Sequence, residues 1–531
     1  MKPASFTPLT DIPVPAPEPT GPFRSLPELV AQHARDTPDA TALITGDDTV
    51  SYGQLEESAN RIGAAFQRDG CTPRGTIAIC AANSNAYLCV WIGAQRAGLT
   101  VVPLAPSATP LQLLGMLDDA GATHLFVDAA AAAALVGHDA PVWRIDLDDS
   151  GGGMGLTSWM AAAGSKPEPV QIQPDWPFNI IYSSGTTGTP KGIVQPNQLR
   201  WEQIWRAVFA EFGPQSVTLI ATPLYSNTTL VTALPTLGHG GCVVLMPKFN
   251  VDKYLQLAQK HRVTHTMLVP VQYQRLMALP TFDDYDLSSF RYKFCTSAPF
   301  QAALKADVLA RWPGGLVEYY GMTEGGGTCT LFAHLQRDKL HTVGQPAGGH
   351  DIRLIDEEGR EVPKGEIGEV VGRSAVMMTG YHNQPGKTSE AQWFDAEGHR
   401  FIRHGDVGRF DAEGFLVLMD RRKDMIISGG FNVYPSDLEA EIRRHAGVAD
   451  VAVVGVASID WGETPVAFVV RQGDVDTTAG ELLAQVNAGL GKTQRISALV
   501  FIDELPRSAI GKVLKRQLRE TYEHTPTQEK S

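Results

Sequence analysis

Residues 180–192, IIYSSGTTGTPKG, hold the densest set of groups in this chain that could do chemistry. An apolar lead, Ile180, Ile181 and Tyr182, runs into Ser183, Ser184, Gly185, Thr186, Thr187, Gly188 and Thr189, then Pro190, Lys191 and Gly192. The stretch combines closely spaced backbone N–H groups, five hydroxyls and one ammonium, with no bulky side chain between them. A polyphosphate requires that kind of surface. A P-loop needs Gly directly before its Lys and a hydroxyl directly after it, opening a helix. Here Pro190 precedes Lys191, Gly192 follows it, and Pro190 biases Thr189 towards an extended backbone. The loop therefore reads as a phosphate site of another kind, with a nucleotide triphosphate as its expected ligand.

Five further blocks follow in order. They are Tyr320–Glu324 (YGMTE), Gly405-Asp406 with Val407-Gly408, Asp420–Asp424 (DRRKD), Ser428–Pro435 (SGGFNVYP) and Pro506–Lys512 (PRSAIGK). Together with the loop they resemble the signature of the adenylate-forming superfamily. That group includes AMP-forming acyl-CoA synthetases, coumarate-CoA ligase-like enzymes, luciferases and the adenylation domains of peptide synthetases. The resemblance implies a large, multi-subdomain α/β N-terminal domain with mostly parallel sheets, followed by a small, hinged α+β C-terminal domain. It also implies a two-step reaction. A carboxylic acid and ATP give an acyl-adenylate and pyrophosphate, and the thiol of CoA then displaces AMP.

The resemblance carries roles onto particular residues. Ser183–Thr189 and Lys191 would hold the β- and γ-phosphates. Lys512 would be the catalytic cation between carboxylate and α-phosphate, with Thr323 donating to that phosphate and Glu324 holding Mg²⁺. A hard carboxylate suits that hard cation. Tyr320, Gly321 and Met322 would line the nucleotide, with Ser297, Ala298 and Pro299 beside adenine. Asp406 would accept both ribose hydroxyls, and Arg421 would contact ribose or phosphate. Lys423 would be the hinge. Gly429, Gly430 and Phe431 would border a CoA tunnel, where absence of Cβ allows a thioester arm to pass.

Pro223–Thr229, PLYSNTT, resembles the family's acyl-pocket segment, so Tyr225, Ser226 and Asn227 are assigned to that pocket together with Gly325 and Gly326. Ser226 stands where many members have His, and His404 where the family usually has Thr. Ser226, smaller than His, together with Gly325–Gly327, points to an aryl-containing or medium- to long-chain aliphatic acid, with Gly325–Gly327 read either as pocket space or as a loop. Loading of a carrier-protein phosphopantetheine is the near alternative; no carrier segment follows residue 520, so it would need a separate partner. A non-catalytic ATP-binding protein is the remote one, and it predicts decayed chemistry, whereas Lys191, Glu324, Asp406, Arg421 and Lys512 are all present.

The elements that must position these groups follow an alternating pattern. Thr76–Cys80, Thr100–Leu104 and Thr123–Val127 read as strands and Asn85–Ala97 as a helix. Thr109 caps a helix with Pro110 at its first position. This βαβα rhythm predicts a largely parallel sheet with covering helices. After Asp424 the rhythm changes: a helix over Leu438–His445, with Ser436 and Glu439 as a capping box, then strands at Val451–Val456 and Pro465–Val470. The expected division is a proline-rich arm (1–24), an ATP- and acid-binding domain (25–422), a mobile domain (423–520) and a tail (521–531).

With 531 residues, more than one core is required. A net charge of −13 argues against non-specific nucleic-acid binding and against an anionic membrane surface. No apolar run reaches the ~18 residues of a membrane span. The six Cys have no metal-ligand spacing and read as reduced residues of a cytoplasmic enzyme. The motifs are compatible with an oligomer.

Overall fold

The computed structural model describes residues 21–138, 141–148, 154–183, 190–421, 424–428, 431–458, 461–473, 477–490, 494–508 and 511–524. Ser184–Thr189, Lys423, Gly429 and Gly430 lie outside the described residues, as do the first twenty positions of the arm. By packing, the chain divides into a first unit, Met1–Asp351 with Gly372–Ile402, and a second, Ile352–Val371 with Arg403–Ser531. The hinge expected at Lys423 concerns motion rather than packing and stays a proposal.

The first unit carries two large sheets. In one, the strands run in the order 380–381, 192–196, 177–182, 100–104, 76–80, 122–127, 143–146, 154–155. Its centre is parallel, as Thr76–Cys80 pairs in parallel with both neighbours. The other sheet centres on the parallel strands Val217–Ile220, Cys242–Leu245, His265–Leu268 and Tyr292–Cys295. Its strand Gly315–Gly321 pairs in parallel with Tyr292–Cys295 and leads into the YGMTE block. The expected parallel α/β architecture is therefore the observed one. Strands of this kind are apolar on both faces because helices cover both; Thr100–Leu104 is buried at every position.

Local signals account for the element ends. The helix Pro110–Ala120 starts at Thr109, whose hydroxyl accepts from the Gln112 N–H while Gln112 Oε1 accepts from the Thr109 N–H. The helix Asn85–Arg96 is buried along nearly its whole length, and Trp91 lies fully inside the main core with Phe66, Phe126 and Phe178. Among the described residues, no helix is long and apolar enough to cross a membrane.

The second unit contains an antiparallel hairpin in which residues 406–410 pair with Leu416–Arg421. It also holds a five-stranded sheet built on Val448–Ser458 and Gly462–Arg471. Here one expectation fails. The helix is Pro435–Ile442, and Ser436 and Glu439 form no capping box. The Ser436 hydroxyl donates instead to the Met419 carbonyl, and Glu439 accepts from the Val453 N–H at 2.9 Å. Both side chains tie the helix to neighbouring strands, because those buried backbone groups outcompete the helix's own first turn. The final helix, Lys515–His524, runs past residue 520.

Candidate functional site

The phosphate loop joins two antiparallel strands, Pro177–Tyr182 and Gly192–Pro196, and the Ser183 N–H bonds the Lys191 carbonyl at 2.9 Å across its mouth. Lys191 thus opens a strand, not a helix, as Pro190 and Gly192 implied. Its Nζ lies 4.9 Å from the centre of the Tyr381 ring. The Tyr381 hydroxyl donates to Glu324 Oε1 at 2.9 Å. One tyrosine therefore meets both the loop's cation, through its ring, and the carboxylate of the YGMTE block, through its hydroxyl. Burial, and then the neighbouring Glu324 charge, hold the Tyr381 phenol far above its ordinary range, so it stays a proton donor. Among the described residues, Glu324 Oε2 has no hydrogen-bond partner, so one oxygen is held and the other is open.

The backbone of Thr323-Glu324 is fixed from two sides. The Glu324 carbonyl accepts from the Met378 N–H at 2.8 Å, and the Thr323 carbonyl from Gln195 Nε2 at 2.6 Å. Gln195 belongs to a buried polar group that sequence reasoning missed. Asn179 and Gln195 are register partners in adjacent strands, and Asn179 Nδ2 donates to Gln195 Oε1 at 2.9 Å. Arg200, on the helix Asn197–Arg206 and only 2% exposed, donates to Asn179, Gln195, Gln203 and Asn227. A signal was present in the sequence: single amides in the apolar strands PFNIIY and GIVQP must be paired when buried. Tyr381, 57 positions beyond Glu324, carries no such signal.

The other predicted residues of this unit fall as follows. Tyr320 and Gly321 end the strand Gly315–Gly321, and Met322 follows half-buried. Ser226 is buried and caps the helix Asn227–Gly238, accepting from the Thr228 N–H at 3.3 Å. Tyr225 is half-buried beside it. Ser297 has φ +83°, which L residues rarely adopt, and its hydroxyl is 2.6 Å from that of Thr228. Strain of this kind, about 1–3 kcal/mol, collects at functional segments, and here it falls on Ser297-Ala298-Pro299. Two of the glycines after Glu324 are closely approached by their neighbours. A Cβ on Gly326 would lie 2.9 Å from Ile402 Cβ and 3.2 Å from the Gly372 carbonyl, and one on Gly325 would lie 3.3 Å from the Val376 carbonyl. At Gly325 and Gly326 the absence of a side chain permits this close approach of the 372–377 segment and Ile402.

In the second unit, Asp406 and Arg421 are direct cross-strand partners, so the hairpin brings two separate sequence blocks together. Lys512 sits in a tight turn. Its N–H bonds Ser508 Oγ at 3.2 Å, its carbonyl accepts the Ser508 N–H at 2.8 Å, and Gly511 takes φ +77°. Arg507 pins the turn from the Gly511 carbonyl, 2.7 Å away, to Asp450. Phe431 opens the short strand Phe431–Val433.

A nucleotide-using enzyme of two units is the class this fold and these sites define. A family model described as AMP-binding enzyme matches residues 30–382, and one described as AMP-binding enzyme C-terminal domain matches residues 437–512. The chain belongs to the AMP-binding enzymes, the adenylate-forming superfamily. It is 33% identical to a feruloyl-CoA synthase of Amycolatopsis sp, covering 92% of this chain and 98% of that one. It is 29% identical to the fatty acid–[acyl-carrier-protein] ligase ScoC of Streptomyces coeruleorubidus, covering 94% and 97%. Among solved structures it is similar to ATP-bound MatB from Rhodopseudomonas palustris, with a TM-score of 0.83, 30% identity and coverage of 94% and 99%.

Proposed function

We propose that this protein is an ATP-dependent, AMP-forming acid–CoA ligase acting on an aryl-containing or medium- to long-chain acid. The observation that carries the reading is the Lys191–Tyr381–Glu324 arrangement. It brings a cation to the ring and a half-open carboxylate to the hydroxyl of one tyrosine, with a sequence rich in hydroxyls and backbone N–H groups directly before the cation. A carboxylate and ATP repel one another, so the protein must hold both and stabilise a crowded negative transition state.

In the first half-reaction an oxygen of the acid attacks the α-phosphorus, and the bond to the β-phosphate oxygen breaks. The products are acyl-adenylate and pyrophosphate. Ser183–Thr189 and Lys191 hold the leaving pyrophosphate, Thr323 donates to the α-phosphate, and Lys512 brings its positive charge to the attacking carboxylate. Asp406 and Arg421 orient the ribose. The free oxygen of Glu324 fits Mg²⁺, which when bound neutralises phosphate charge. In the second half-reaction the sulfur of CoA attacks the acyl carbon, the bond from that carbon to the phosphate oxygen breaks, AMP leaves and the thiol proton passes to solvent. Rotation about Lys423 would exchange the Lys512 turn for the segment around Gly429-Gly430, so that one site serves both steps. Six free thiols fit a reducing compartment, the cytoplasm.

Similarity to the carrier-protein ligase favours one second reading, in which the acyl group passes to a carrier phosphopantetheine. Mixing enzyme, ATP and Mg²⁺ with an acid panel, and offering either CoA or a carrier, tests both. CoA-dependent AMP release supports the ligase. Release with the carrier alone supports the second reading. No AMP with any acid refutes both.

A further inference from the structure

The acyl segment contains an amide whose orientation is dictated by a buried cation. A guanidinium has five N–H donors and no acceptor. All five of Arg200 are used on amide oxygens: Nε and one terminal nitrogen on Asn179 Oδ1 (3.2 and 2.9 Å), the others on Gln203 Oε1 (2.8 Å), Asn227 Oδ1 (2.9 Å) and Gln195 Oε1. Among the described residues Arg200 makes no ion pair. Asn227 must therefore turn its oxygen to Arg200, and Gln195 Nε2 approaches the same oxygen at 3.4 Å.

This fixes where the Asn227 N–H groups go. They lie on the side away from Arg200, have no hydrogen-bond partner among the described residues and are not sealed from solvent. An amide whose oxygen is bonded to a cation is a stronger N–H donor, since hydrogen bonds in series polarise one another. Asn227 is also close to the chemistry. Gln195 links it to the Thr323 carbonyl, and the next residue, Thr228, bonds Ser297.

Resting on the ligase reading above, we propose that Asn227 is a specificity-determining contact, held by Arg200 as a positioning residue. It donates to an oxygen acceptor on the acyl group of the acid. The substrate class is thereby narrowed to acids whose acyl part carries a hydroxyl, alkoxy, keto or second carboxylate oxygen. A purely hydrocarbon acid leaves this polarised donor unpaired on binding, which is how a site built for a hydrogen bond rejects the analogue lacking it.

The test measures kcat/KM for CoA-dependent AMP release with cinnamate and its 3-hydroxy, 4-hydroxy, 4-methoxy and 4-carboxy derivatives. The wild-type protein should prefer at least one oxygen-bearing acid over cinnamate by tenfold or more. Whether the neutral or the carboxylate arm leads identifies the acceptor. Asn227→Leu should bring that preference to twofold or less. Asn227→Asp, which keeps the shape, should lose the methoxy and carboxylate acids and retain the hydroxy acids, which can donate to it. Arg200→Lys, which keeps charge but not the fork, should shift the preference the same way as Asn227→Leu. Preferences unchanged in both Asn227 variants, or a wild-type preference for cinnamate, would overturn the inference. A wild-type protein that is silent with these acids but releases AMP with unsubstituted aliphatic acids overturns this inference alone, and one that releases no AMP with either set overturns the ligase reading and this inference with it.

Discussion

Tyr381→Phe removes one oxygen and with it the bond to Glu324 Oε1, 2.9 Å long. Hydrogen bonds to a charged group contribute about 1.5–3 kcal/mol net. Glu324 is half-buried, so water can replace part of the loss, and about 1–2 kcal/mol is the fitting range. At about 1.4 kcal/mol per tenfold, this is about a 5- to 30-fold fall. Because Glu324 is the proposed Mg²⁺ ligand, the loss should appear as a higher Mg²⁺ requirement in acid-dependent pyrophosphate exchange, with binding of metal-free nucleotide little changed. The Phe variant keeps a ring under Lys191. Tyr381→Leu also removes that ring, and a partly exposed cation–ring contact contributes about 0.5–1 kcal/mol, a further two- to fivefold. The ordering wild type, Phe, Leu is thus required. Exchange by Tyr381→Phe within twofold of wild type across the Mg²⁺ titration would refute the bridging role.

Three other outcomes are expected. Lys512→Ala should lower adenylation by about 100-fold or more, the scale of losing one transition-state donor; near-normal pyrophosphate exchange would end that assignment. Gly430→Leu should impair thioester formation more than adenylation when the half-reactions are assayed separately, and equal losses would argue against a tunnel there. His265 is fully buried and bonded to the Ala210 carbonyl, and burial lowers its pKa to about 4. The unfolded chain takes up a proton near pH 6.5 that the folded protein refuses, so stability is complete above about 6.5 and falls towards pH 4, by up to about 3 kcal/mol. His265→Asn should flatten the dependence of Tm on pH across that window, and an unchanged slope would refute it.

What the sequence disclosed depended on how local each signal was. The Thr109 cap and the strand before Ser183 are written in adjacent residues, so both were legible. The blocks at 320–324, 405–408 and 506–512 could be placed by type and order. That Asp406 lies across from Arg421 could not, because register between strands depends on the hairpin that joins them. What packs against Gly325 and Gly326 was not legible for a related reason. A glycine states only that no side chain is present, and the 372–377 segment that packs there is distant in sequence. Asn179 and Gln195 were legible in principle, since lone amides in apolar strands imply a partner. Their partner, Arg200, carries no such signal, since nothing local marks a helix arginine as buried.

Among the described residues, three deeply buried cations of the first unit differ in a way that bears on chemistry. Lys305 pairs with Glu318, whose carboxyl burial raises to about 7. Lys293 donates to the carbonyls of Trp312, Pro313 and Gly314 just past a helix end, and burial pushes its pKa well below the ordinary lysine value, so it can relieve its burial by losing a proton. Arg200 has neither route. No carboxylate among the described residues pairs with it, and its pKa, lowered by burial to about 9, still leaves it charged at neutral pH. Removing a buried cation's partners is strongly destabilising, so its amide cage must be complete, and all five donors are indeed bonded. A counter-carboxylate would neutralise Arg200 locally and cancel its field. Amide oxygens satisfy the hydrogen bonds and leave the charge standing, one amide removed from the Thr323 carbonyl. An adenylating site, which must gather a carboxylate and a polyphosphate, would gain from a fixed positive charge that no carboxylate among the described residues pairs with.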